Sequence, residues 1–362
     1  MLFSSAGSAS GILFNWDTAG RSGFHTLKLE AGTAVSTATV FIGDPIVVFS
    51  TARKHGRSLK IKDPQGLAVR GDGNLWVASG EEGRLVLISS SGALLATVGH
   101  GSDNGNSEKA KDDDDDEKES GGGDLNFKRP HGLALDAAGN LYVADTGRDR
   151  VAKLSPDGKQ LLLSIGKKDK KGRPVAGSKD GQLDRPFDVA ISSDGLIYVT
   201  DQGNSRVQVF DFSGTFVRSF GQAAFAKGAR IWGLSLASGT VWVADEGRHL
   251  IYQFTRTGTL LRTLTSTHSA AGFIDGIEGL DTDRFGAVYA AETEKDRIQK
   301  FDPEGFGLLA FGDKTRRKGS RRKLLGPADL TMAPDGSLWV SDNDNDRVVR
   351  FARGPQAGAW HQ

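Results

Sequence analysis

The sequence predicts an all-β fold: a six-bladed β-propeller of four-stranded antiparallel blades, its ring closed by an N-terminal strand. Three observations lead there. A glycine turn is followed three residues later by Trp or Tyr at Gly73/Trp76, Gly139/Tyr142, Gly195/Tyr198, Gly239/Trp242, Gly286/Tyr289 and Gly336/Trp339. The surrounding text recurs, as in RPHGLALDAAGNLYVADTGRDRVAKLSPDG and RPFDVAISSDGLIYVTDQGNSRVQVFDFSG, and such a period marks an array of like units, none able to bury its apolar face alone. The counterparts Gly66, Gly132, Asp188, Gly233, Gly279 and Asp329 lie 66, 56, 45, 46 and 50 residues apart, the excess falling between units.

Each unit resolves into four strands, the second one clearly. Leu133 to Asp136 alternates as a first strand, and Asp136-Ala-Ala-Gly139 is a turn whose glycine takes positive φ without steric cost. Leu141 to Ala144 is rich in β formers, Asp145 to Asp149 turns, Val151 to Leu154 is a third strand, and Ser155-Pro-Asp-Gly158 turns into a fourth, Gln160 to Ile165. Twisted sheets of this kind pack radially, because each buries both faces only between two neighbours. The six aromatic positions then belong to the interblade core, with their polar atoms reaching turn backbone. The sixth unit has no fourth strand in Gly354 to Gln362, whereas Ile46 to Ser50 has a β pattern and is expected to pair beside Arg347 to Phe351, covering the open edge.

The units resemble the NHL repeat: a glycine before the first strand, an Asp-Gly turn, an aromatic strand, an Ala-Asp turn and an Arg-Val third strand, in register from about Asp63 to Gly354. The resemblance implies a six-bladed binding platform, a non-catalytic scaffold for protein-protein interaction that recognises a protein or an anionic ligand on one face. The expected organisation is a propeller at 44–354, an acidic low-complexity insert at 101–126 with nothing to bury and therefore disordered, and a tail at 355–362. Residues 1–43 resemble the last strands of a bacterial Ig-like domain over about thirty residues, where such a sandwich needs roughly 100. That segment is expected to be a partial domain or an extension, and the analogy points to a bacterial extracellular or cell-envelope protein. No Lys or Arg precedes the short apolar Gly11 to Phe14, and no apolar run reaches membrane length, so neither a signal peptide nor a transmembrane segment is expected. Cys 0 and Gly 48 suit a turn-rich β protein without disulfides, and a net charge of +1 gives no global field for a polyanion.

The links between blades and the turns between second and third strands fall on one face, the top, where loops on a rigid scaffold carry binding residues. Three links are basic: Arg53, Lys54, Arg57, Lys60 and Lys62; Lys167, Lys168, Lys170, Lys171 and Arg173; and Lys314, Arg316, Arg317, Lys318, Arg321, Arg322 and Lys323. They are candidate anion-binding loops for a glycan or nucleic acid, or simply solvated loops. They hold no aromatic residue for base stacking, which makes RNA binding the lesser alternative. The acidic run Asp112 to Glu117 is expected to compete for them.

A second candidate is the top mouth of the central channel. There the residues Gln65, His131, Phe187, Trp232, Glu278 and Ala328 precede the first-strand position, and Asp188 and Asp329 replace the usual glycine. Mixed aromatics, a histidine and carboxylates read as a ligand pocket, or as caps on strand starts. An enzyme, a metal-dependent lyase or hydrolase around His131 and Glu278, is the alternative from another class. One histidine makes a poor zinc shell, so no catalytic residue, metal or cofactor is assigned. Asp342 to Asp346 lacks the glycine and glutamate of an EF-hand loop. The pairs Asp145/Arg150, Asp201/Arg206, Glu292/Arg297 and Asp342/Arg347 share a spacing that spans one hairpin and are assigned to turn geometry, with Ser79/Arg84 and Asp245/Leu250 breaking the rule.

Overall fold

The structure, a computed structural model, describes residues 23–31, 34–42, 45–49, 51–54, 57–99, 125–226, 229–237, 239–265, 274–312 and 324–351, those before residue 60 as backbone only. Six four-stranded antiparallel sheets follow one another along the chain. Their innermost strands are Pro64–Val69, Pro130–Leu135, Pro186–Ile191, Ile231–Ala237, Ile277–Thr282 and Pro327–Met332, which define blades 1 to 6. The second strands, from Leu75–Ser79 in blade 1 to Leu338–Asp342 in blade 6, carry the aromatic positions. Pro45–Phe49 pairs antiparallel with Arg347–Phe351, with Val348 opposite Phe49, so the predicted N-terminal strand completes blade 6. Among the described residues no helix is long and apolar enough to cross a membrane.

The core lies between blades. One cluster joins Trp76, Leu85 and Val98 of blade 1 to Leu133, Leu141 and Ala152 of blade 2, and others repeat this around the ring. Trp76, Tyr142, Tyr198, Trp242 and Trp339 are buried as predicted, and Tyr289 is partly buried. Trp76 packs so closely on the blade 2 turn that a Cβ at Gly158 would sit 2.8 Å from its ring. The expectation for their polar atoms holds for Tyr198, whose hydroxyl donates to the Arg256 carbonyl at 3.3 Å. It fails for Trp76 and Trp242, whose indole N–H groups have no partner, because the apolar wedge around them brings no acceptor within reach.

In blades 2 to 6 the second turn is a 3-10 turn closed by a residue in the left-handed region, as at Asp149 and Asp346. The predicted ion pairs brace them. Arg150 Nε lies 2.8 Å from Asp145 Oδ2 and Arg206 Nε 2.8 Å from Asp201 Oδ2, and the pairs Arg297–Glu292 and Arg347–Asp342 form as well. The same carboxylates accept link amides, Lys128 N at 2.8 Å on Asp145 and Asp184 N at 2.8 Å on Asp201. In blade 1 Ser79 donates to the Lys62 carbonyl at 2.6 Å, and Arg84 pairs with Glu82 instead.

The first basic link is a β-hairpin, Thr51–Lys54 with Arg57–Lys60, Lys54 opposite Arg57, and its residues therefore alternate between two faces. Residues 23–31 and 34–42 form a separate hairpin with Phe24 opposite Phe41. Asp112 to Glu117, Arg316, Arg317, Arg321, Arg322 and the tail 355–362 lie outside the described residues. Leu125 and Asn126, at the end of the acidic insert, are placed: Leu125 packs on the core and the Asn126 carbonyl accepts from Arg150 Nη2 at 2.9 Å.

Candidate functional site at the channel mouth

The inner strands open with a residue in the left-handed region followed by proline in blades 1 to 3, Asp63, Arg129 and Arg185, and this bend aims the next side chain over the channel. Gln65, His131, Phe187, Asp188, Glu278, Ala328 and Asp329 line one small cavity of about 10 Å³, walled by the backbones of Gly66, Gly132, Gly233 and Gly279. That is room for about one water-sized group. Below it the channel widens to about 260 Å³ between the inner strands.

Three mouth residues form an aromatic stack. His131 lies on Phe187 with centroids 4.4 Å apart, and Phe187 on Trp232 at 4.8 Å with planes 12° apart. Phe187 thus has both faces covered, whereas Trp232 stands outside the cavity lining and ends the stack.

His131 and Glu278 hold equivalent positions in blades 2 and 5. His131 Nδ1 is 2.9 Å from the Thr146 hydroxyl, and Glu278 bonds the Thr293 hydroxyl. Both threonines are staples between blades, Thr146 donating to the Pro186 carbonyl at 2.6 Å and Thr293 to the Pro327 carbonyl at 2.9 Å. Burial pushes the His131 pKa down to about 4, against the opposing pull of Asp63. Burial first, then the charges of Glu246, Asp63 and Asp344, pushes Glu278 up to about 8. At neutral pH the mouth holds a neutral imidazole and a protonated carboxyl.

Asp188 and Asp329 line the same cavity, yet their oxygens are used within the fold. Asp188 accepts from its neighbour Val189 N at 2.8 Å and from Leu234 N of blade 4 at 2.7 Å; Asp329 accepts from Leu67 N of blade 1 at 2.9 Å. A Cβ at Gly132 would fall on Asp188 Oδ1, and one at Gly279 on Asp329 Oδ1. The aspartates replace glycine only where the preceding blade keeps one. Asp281, which the sequence reading did not single out, does the same from blade 5, accepting from Met332 N at 2.7 Å. Its signal was available: the equivalent residues are Ala68, Ala134, Ala190, Ser235 and Thr331. Burial raises all three, with mutual repulsion adding to the effect at Asp188 and Asp329 and Asp281 reaching about 6. Among the described residues no three His, Asp or Glu side chains converge as a metal would require.

The basic loop Lys167 to Arg173 is exposed, with Lys167, Lys168, Lys170 and Lys171 in solvent and Arg173 paired to Asp169 at 2.9 Å. The described rim around the mouth is acidic in blades 5, 6 and 1. Asp344 is raised by burial and by its neighbours Asp296, Asp63, Asp346 and Glu294.

Fold and site define a six-bladed propeller with a residue cluster at its channel mouth. The NHL repeat model matches residues 127–154 and 183–210. The match falls on blades 2 and 3, and the other four blades share their four-stranded plan, so the chain is a six-bladed propeller that carries NHL repeats. It is 36% identical to rat peptidylglycine alpha-amidating monooxygenase over 107 residues, 29% of this chain and 10% of that protein. It is 31% identical to peptidyl-alpha-hydroxyglycine alpha-amidating lyase 2 of Drosophila melanogaster over 101 residues, 28% of this chain and 24% of that one. The match to human NHL repeat-containing protein 3 is longer, 26% over 254 residues, 57% of this chain and 65% of that protein. The chain therefore spans from a tenth to under two thirds of these relatives. A streptogramin B lyase structure superposes with a TM-score of 0.54 at 15% identity, covering 86% of this chain and 90% of its own, a likeness of fold.

Proposed function

We propose that the chain is a recognition propeller that binds its partner, a protein, with the top face and reads one small group of it in the channel mouth. The observation that carries this reading is convergence: Gln65, His131, Phe187 and Glu278, from four different blades, meet at one water-sized cavity. Ring closure does not need these residue types, since Ala328 fills the corresponding place in blade 6. The covered faces of Phe187 leave no platform for a base there, which favours a protein over a nucleic acid. Peptides selected from a random library on the full chain test it. They are expected to bind Phe187→Ala at least tenfold more weakly and to tolerate reversal of Lys167, Lys168, Lys170 and Lys171. The opposite pattern overturns the reading in favour of the basic loops.

One observation favours a second reading. A neutral His131 and a protonated Glu278 at one cavity are a base and an acid held apart by environment, as a lyase or hydrolase uses them. Relatives named as amidating lyases make peptidyl-hydroxyglycines the substrates to assay, with His131→Gln as control. Turnover lost in that variant establishes the enzyme reading.

A further inference from the structure

We propose that the group received in the mouth is a primary ammonium, from a lysine side chain or a free amino terminus; this rests on the recognition reading above. The hydrogen-bond inventory of the cavity supports it. Thr146 has a single hydroxyl proton and gives it to the Pro186 carbonyl at 2.6 Å, so in the 2.9 Å contact His131 Nδ1 is the donor. A ring N–H also bonds the Arg129 carbonyl, and with the proton on Nδ1 it is Nε2 that is left as the acceptor nitrogen. Gln65 Nε2 donates to Asp63 Oδ1 at 2.7 Å, which leaves Gln65 Oε1 as a second acceptor. Thr293 gives a hydrogen bond to the Pro327 carbonyl at 2.9 Å and also bonds Glu278, which once ionised offers a carboxylate as the third acceptor. Three acceptors lining one cavity match an ammonium, which has three donors and no acceptor. Size agrees, because about 10 Å³ takes a water-sized head and excludes a planar guanidinium.

The surrounding charge agrees as well. Glu246, Asp63 and Asp344 face Glu278, and Asp63 also acts on His131, opposed there by Arg129. An arriving cation relieves that repulsion and ionises Glu278, whose proton passes to the buffer. Binding of the cation and loss of the proton are one linked event.

Calorimetric titration of the full chain at pH 7, in two buffers of different ionisation enthalpy, reads both. The probes are Nα-acetyl-lysine methylamide, with only a side-chain ammonium, and alanyl-alanine methylamide, with only a terminal one; whichever binds more tightly identifies the source. Nα-acetyl-norleucine methylamide is the neutral control. The expected result is release of close to one proton with the favoured amine and at least tenfold weaker binding of norleucine. Glu278→Gln, which mimics the protonated carboxyl, unfolds at pH 7 at a midpoint no lower than that of the unchanged protein, and loses both the proton release and tenfold in affinity. Equal binding of norleucine, or proton release that persists in Glu278→Gln, overturns the inference. If neither amine binds while library peptides remain sensitive to Phe187→Ala, the ammonium falls and the recognition reading stands.

Discussion

His131 and Glu278 sit at the same place in blades three apart in the ring, each fifteen residues before the threonine it touches, Thr146 and Thr293, so they reach the mouth from opposite sides. The propeller repeats the backbone six times and thereby places unlike side chains at like positions around one axis. Chemistry at the mouth is a matter of which residue each blade supplies.

Stability should depend on pH through Glu278. Its folded pKa, about 8, lies above its ordinary value of 4.5, so the neutral form contributes stability that is full below about pH 4.5 and lost as pH rises through about 8. Glu278→Gln removes this dependence and leaves that of Asp281 in place. The two proteins should unfold within about 1 kcal/mol of each other at pH 5, and the variant should be more stable by about 4–5 kcal/mol at pH 8.5. Parallel pH profiles would show that Glu278 is ionised in the folded mouth.

The mouth glycines and aspartates form a steric code that a double-mutant cycle measures. Gly132→Ala drives a Cβ into Asp188 Oδ1 and should cost about 2 kcal/mol or more. Asp188→Gly makes room but strips the Leu234 amide of its acceptor. The double variant should be less destabilised than the sum by about 1 kcal/mol. Strict additivity would mean that the two sites do not touch.

Much of this was legible in the sequence because repetition is. Six copies of a glycine turn followed by an aromatic gave the blade count, the interblade place of Trp242 and, through the missing fourth strand of the last unit, the closing role of Pro45–Phe49. The mouth residues were found by position, as the side chains just before the recurrent glycine, and the structure makes each the second residue of its inner strand. What escaped was what each does there. Asp188 looks like a ligand group and is a staple between blades, because its carboxylate oxygens accept from two backbone amides, Val189 beside it and Leu234 of the next blade. The stacking of Phe187 between His131 and Trp232 depends on ring angles between three blades, which no local pattern encodes.

Asp201 is a hub. It accepts from Asp184 N of the link at 2.8 Å, Asn204 Nδ2 of the turn at 2.9 Å, and Arg206 Nε at 2.8 Å and Gln208 Nε2 at 2.9 Å of the third strand. Asp201→Ala leaves the buried Arg206 guanidinium with only the exposed Asp180 as an ion-pair partner, at 3.3 Å, and should cost about 3–5 kcal/mol in chemical denaturation. A loss below 1 kcal/mol would place the pair in water.

Trp242 is fully buried against blade 5, with Ile277 and Val288 in its cluster. Trp242→Ala should cost about 3–5 kcal/mol. A cost under 1 kcal/mol would contradict its place between blades.

The central claim is that the mouth presents acceptors, and the tautomer of His131 reports on it most directly. A long-range proton-nitrogen spectrum of the histidine rings, with His131 assigned by comparison with His131→Gln, reads which nitrogen carries the proton. The account predicts a neutral ring protonated on Nδ1, unchanged between pH 5 and 8 because its pKa is about 4, with Nε2 shifting when Nα-acetyl-lysine methylamide or alanyl-alanine methylamide is added. A ring protonated on Nε2, or one that titrates near pH 6.5, would contradict it.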